Sequence, residues 1–145
     1  MKLTIENALY KAAEAQKLGA LQDAGRIYAA ILEAQPQHPE ANYNLGLLAV
    51  GVGQVDAALT FFKKAIQGNP KITKFWMSYI DTLIELGILD DAKVFVEKAK
   101  ENAEDKDDLI ELEKKLEALS EDKSRMKKVG NVPLAEQTID TKNVK

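Results

Sequence analysis

The 145 residues predict an all-α solenoid of three stacked helix–turn–helix units closed by a capping helix, and three observations carry that prediction. The chain matches itself at a shift of 34 residues, each copy is punctuated by one glycine, and apolar residues recur at three- and four-residue steps on both sides of it. With 46% hydrophobic and 30% charged residues, the composition is that of an ordinary globular domain, long enough for one core and not two.

The 34-residue shift aligns residues of several chemical kinds at once. Gly19, Gly53 and Gly87 coincide, as do Ala24, Ala58 and Ala92; Leu21, Val55 and Leu89; and Leu18, Val52 and Leu86. Ile27-Tyr28, Phe61-Phe62 and Phe95-Val96 superpose, and Pro36 falls on Pro70. These anchors define units 5–38, 39–72 and 73–106 with no insertion between them. Each unit divides at its glycine, because a residue without a Cβ ends a helix cheaply in the left-handed conformation. In the second unit Pro39 suits a first helical turn, and Ala41, Leu45, Leu48, Ala49 and Val52 form the stripe of a first helix, A. After Gly53, Val55, Ala58, Leu59, Phe62, Ala65 and Ile66 form the stripe of a second, B, closed by Gly68, Asn69 and Pro70. Asp23, Asp56, Asp90 and Asp91 lie in first turns of B helices, where a carboxylate meets the positive end of the dipole, so they serve folding rather than chemistry.

Stacked helix pairs leave an end to be covered. Leu109, Ile110, Leu112, Leu116 and Leu119 keep a one-sided stripe, which predicts a capping helix over 107–128. Gly130-Asn131-Val132-Pro133 should break it, and 129–145 reads as a flexible tail or linker.

Charge and residue inventory exclude several functions. Twenty Lys+Arg against 23 Asp+Glu leave a formal charge of −3, with no basic surplus for nucleic acid or an anionic membrane. No apolar run is long enough to span a bilayer, and the N-terminus lacks a signal-peptide core, so a cytoplasmic protein is expected. The absence of cysteine and the single His38 remove the usual metal ligands and nucleophiles, so neither cofactor nor metal is expected. His38 itself reads as a solvent-facing loop residue. The acidic stretch around Glu104 to Glu113 lacks the glycine and ligand rhythm of a calcium loop. Lys123, Arg125, Lys127 and Lys128 read as a cluster balancing those acids. No phosphate loop or nucleophile elbow occurs, and the chain reads as non-catalytic.

A 34-residue helix–turn–helix unit with small residues at positions 8, 20 and 27 and proline at position 32 resembles the tetratricopeptide repeat, over 5–106. The four positions hold Ala12, Gly46 and Ile80; Ala24, Ala58 and Ala92; Ile31, Ala65 and Ala99; and Pro36, Pro70 and Glu104. Asn44-Leu45-Gly46 is the most family-like stretch. Ile31, Ile80 and Glu104 depart from the pattern, and wider helix spacing is expected there. Trp76 fits the large residue common at position 4 and should pack between helices.

The resemblance implies a right-handed superhelix whose concave groove, lined by the A helices, receives a peptide segment of a partner protein. The residues it assigns to the groove are Glu6, Leu9 and Ala13, then Tyr43, Asn44, Leu47 and Val50, then Lys74, Met77, Ser78 and Asp81. A subclass that grips terminal carboxylates needs five polar residues at positions 2 and 6, of which only Asn44 and Lys74 are present, while Glu6 opposes a carboxylate. Three readings follow. The first is an adaptor, the second an N-terminal recruiting or regulatory domain of a larger enzyme such as a transferase. The third is weak self-association through the apolar Leu3, Ile5 and Leu9.

Overall fold

The computed structural model describes residues 4–131, with the side chains of 4–124. They form seven α-helices: α1 (Ile5–Lys17), α2 (Leu21–Ala34), α3 (Pro39–Gly51), α4 (Val55–Gly68), α5 (Thr73–Glu85), α6 (Leu89–Asn102) and α7 (Asp107–Asn131). The odd-numbered helices begin 34 residues apart, and each helix packs on its neighbours in sequence, with α7 also reaching α5. No strand occurs among the described residues.

The turns inside the pairs are copies of one another. Gly19, Gly53 and Gly87 have φ of 77°, 81° and 76°. At the first turn the Gly19 N–H donates to the Gln16 carbonyl at 3.0 Å and the Ala20 N–H to the Ala15 carbonyl at 2.8 Å; both bonds recur at the other two turns. These bonds satisfy carbonyls that a helix end leaves without partners. In the same register position 121 holds Glu121, and α7 passes straight through it. It also runs beyond Lys128 and through Gly130 to Asn131, three residues further than the expected limit. A glycine near a helix end costs about 1 kcal/mol and does not by itself stop the helix. Residues 132–145, with most of the expected tail, lie outside the described residues, as does Leu3.

Small residues set the closeness of the pairs. Ala24, Ala58 and Ala92 are completely buried, as are Ala12, Ala65 and Ala99. Ile31 and Ile80, the two larger residues at such positions, are buried as well. Gly46 has a specific duty: a Cβ there would overlap the buried Phe62 ring. Glu104 explains its own departure from proline, since its N–H donates to the Lys71 carbonyl at 2.9 Å, a bond proline cannot make. Beside it, the Thr73 hydroxyl donates to the Asp105 carbonyl at 2.9 Å and accepts the Asp105 N–H at 3.0 Å. The second and third loops are thereby joined.

His38 is not simply a solvent-facing loop residue. It is the N-cap of α3: its Nδ1 accepts the Ala41 N–H at 3.1 Å, and its carbonyl accepts from the buried Asn42 amide at 3.0 Å. Trp76 is buried between helices, donating its indole N–H to the Pro70 carbonyl at 2.6 Å and packing near Phe95. Leu109, Leu112 and Leu116 seat α7 on the third pair. Polar contacts flank that seat: Lys100 pairs with Glu113 and Glu97, and Lys115 with Asp81.

Candidate functional site

The first helices of the second and third units, α3 and α5, share an open cavity of about 150 Å3. Helical steps of three and four bring Leu47 and Val50 of α3 and Ser78, Asp81, Thr82 and Glu85 of α5 to this cavity, which the buried Phe62 of α4 also lines. The absent Cβ of Gly46 is what lets that ring come forward. The Tyr43 hydroxyl and the Ser78 hydroxyl hydrogen-bond at 3.1 Å, tying α3 to α5. The Tyr43 ring stacks at an angle on Phe75, centroids 4.9 Å apart, and the Lys74 ammonium lies 5.2 Å from its centre. Tyr43 is therefore half-buried, packed on the core through its ring and bridging α3 to α5 through its hydroxyl.

Six of the sequence-predicted residues, Tyr43, Leu47, Val50, Lys74, Ser78 and Asp81, meet in this way. Asn44 is half-buried with no side-chain hydrogen bond among the described residues, and Met77 is half-buried against the larger core. Glu6, Leu9 and Ala13 of α1 are not among the residues lining this cavity. Glu6 is exposed and Leu9 packs on the separate core of the first pair. Glu85 lies on the same helical face of the third unit in the sequence, whereas Phe62, Thr82 and Lys115 are not on the face the sequence assigns to the groove. Phe62 was assigned to the core, where it also belongs. Lys115 was findable, since it stands 34 residues after Asp81 and thus at the same register position on α7. Its ammonium is 3.5 Å from the Asp81 carboxylate, with both side chains more than half in solvent or nearly so.

Perturbed titrations lie away from this cavity. Burial, and then the Glu40 carboxylate, push the Tyr28 phenol up; burial and Asp91 do the same to Tyr79. The Lys100 ammonium is raised chiefly by its bond to Glu113, with Glu97 adding and desolvation opposing. Among the described residues no group of three or more His, Asp or Glu is placed to hold a metal ion, and no helix is long and apolar enough to cross a membrane.

A larger apolar cavity, about 370 Å3, opens at the N-terminal end of the stack between the start of α1 and the end of α2. Ile5, Ala8, Ile27 and Ala30 line it, with Lys11 and Arg26 at its rim. In the second pair Pro39 and the Gln37 carbonyl approach Gly68 so closely that a Cβ there would overlap them.

Glycine-punctuated helix pairs at a 34-residue interval with alanines at the crossings define an all-α solenoid of helix–turn–helix repeats. Residues 9–71 match the family model described as tetratricopeptide repeat. Solved structures share the fold. MamA AMB-1 is 24% identical, with 67% of this chain and 53% of that chain covered and a TM-score of 0.60. A mutant Thermobaculum terrenum O-GlcNAc transferase is 25% identical over 70% of this chain and 20% of its own, TM-score 0.60. MamA MSR-1 is 24% identical over 67% and 56%, TM-score 0.57. No curated protein matches the chain. The chain thus spans about half the length of the MamA chains and a fifth of the transferase. The chain has the all-α fold of a tetratricopeptide-repeat solenoid, with three helix–turn–helix units and a C-terminal capping helix, and the family-model match falls within its first two units.

Proposed function

We propose that this chain is a non-catalytic protein-interaction module that binds a peptide segment of a partner along the groove of its A helices. The observation that carries this reading is the α3–α5 cavity, in which apolar Leu47, Val50 and Phe62 are ringed by Ser78, Asp81, Thr82 and Glu85. At about 150 Å3 it is smaller than the roughly 300–1,000 Å3 of small-molecule sites and suits a single side chain of a longer ligand. Asn44 adds an amide able to donate to and accept from a peptide main chain.

The reading is tested by selecting random twelve-residue peptides displayed on phage against the folded protein and against Leu47→Glu. Leu47 is 39% exposed, so the variant keeps its core while charging the cavity wall. Peptides enriched on the native protein should lose binding to the variant; equal binding to both would remove the groove as the working surface.

The transferase likeness favours a second reading, a recruiting domain of a larger enzyme, since the matched region is a fifth of that longer chain. The mass of the native protein in its source cells decides it. The open cavity at α1 and α2 supports weak self-association as a third reading, which concentration-dependent sedimentation tests.

A further inference from the structure

We infer that the C-terminal half of the groove selects a peptide in which an apolar side chain is accompanied by a lysine or arginine, and that Lys115 occupies the place of that cation when no ligand is bound. The inference rests on the groove reading above and names its ligand chemistry.

Three features converge. The α3–α5 cavity has apolar Leu47, Val50 and Phe62 on one side and two carboxylates, Asp81 and Glu85, on the α5 edge. These acids are four residues apart on one helical face, where like charges disfavour the helix, so a cation placed between them relieves a repulsion the fold carries by itself. The chain already supplies such a cation. Lys115 reaches from α7 to Asp81 at 3.5 Å, while Glu85 has no ion pair among the described residues. Both members of the Lys115–Asp81 pair are well exposed, and exposed pairs contribute little, so exchanging Lys115 for a ligand's basic group is cheap. At the other end of α5, Lys74 sits over Tyr43. The groove is therefore polarised along α5, cationic at its start and anionic at its end, which also gives a bound peptide a direction.

The test uses three pools of fluorescent twelve-residue peptides with a central leucine, the other positions drawn from Gly, Ser and Ala with Arg (basic), Gln (neutral) or Glu (acidic). Binding is read by anisotropy against the native protein and three variants: Lys115→Ala, Asp81→Asn with Glu85→Gln, and Asp56→Asn with Asp90→Asn. The last makes the same charge change on exposed B-helix positions away from the groove. The basic pool should bind the native protein roughly three- to ten-fold more tightly than the neutral pool, a preference that falls with salt. Lys115→Ala should tighten the basic pool about two- to five-fold without helping the neutral one. Asp81→Asn with Glu85→Gln should abolish the preference, and the B-helix pair should keep it. Pools that bind equally, an acidic preference, or the same loss from both acid-to-amide pairs would overturn the inference and leave the groove reading standing. Failure of every pool to bind would bring down the groove reading, and this inference with it.

Discussion

A missing Cβ at Gly46 and a phenol at Tyr28 show how single residues hold this solenoid. The fully buried ring of Phe62 lies where a Gly46 side chain would be. Gly46→Ala should therefore cost about 1–3 kcal/mol through overpacking. Gly51, with nothing near its virtual Cβ, provides the contrast: Gly51→Ala should be neutral or slightly stabilising. Thermal or urea unfolding followed by circular dichroism separates the two. The buried Tyr28 hydroxyl donates to the Gln16 amide oxygen at 2.5 Å, so Tyr28→Phe should cost about 0.5–1.5 kcal/mol near neutral pH. Because burial raises the folded-state phenol above its ordinary value near 10, deprotonation favours the unfolded chain. The native protein keeps that contribution below about pH 10 and loses it as pH climbs beyond, with Tyr79 adding in the same sense. Urea midpoints from pH 8 to 11 should fall less steeply for Tyr28→Phe.

At the level of elements, the difference between a repeat and a cap comes down to position 15 of the register. Three glycines there turn the chain back on itself, and Glu121 lets α7 continue to Asn131. Ordinary side chains resist positive φ by roughly 1–2 kcal/mol, so each turn glycine is a commitment and its absence is another. Glu121→Gly should weaken α7 by about 1 kcal/mol and lower the helical signal at 222 nm. An unchanged signal and midpoint would show that α7 owes its length to packing alone. The buried Leu109, Leu112 and Leu116 were legible as a stripe, because helical period 3.6 marks any face that meets a core. The extent of α7 was not, since Gly130 and Asn131 are poor helix formers that a preceding helix still carries along.

Across the whole molecule the core is divided. One cluster runs from the second pair through α7 and includes Phe62, Trp76, Ile80 and Leu109; a smaller one, built on Ala12, Ala24, Tyr28 and Ile31, holds the first pair and the start of α3. Solenoid stability is a sum of units and their interfaces, and the first pair has its outer side open at the α1–α2 cavity. Amide hydrogen exchange should accordingly be fastest in α1 and slowest in α5, which has neighbours on both sides. Uniform protection from α1 to α6 would show that the two clusters unfold as one.

The sequence by itself determined the repeat, the helix pairs, the turn glycines and the alanine crossings, because each is a local demand written at a fixed interval: a positive φ, a close approach, an apolar stripe. It also put Tyr43, Leu47, Val50, Lys74, Ser78 and Asp81 on facing sides of two helices, where they line one cavity or the contacts beside it, since residues three and four apart on one helix share a face in any context. Tertiary structure decided what those faces meet. Phe62 enters the cavity only because Gly46 on another helix leaves room, Lys115 reaches Asp81 only because α7 packs beside α5, and the Glu104 N–H finds the Lys71 carbonyl only when two loops are brought together. Contacts between residues distant in sequence depend on how helices are stacked, and that stacking is a property of the packed core rather than of any one stretch of chain.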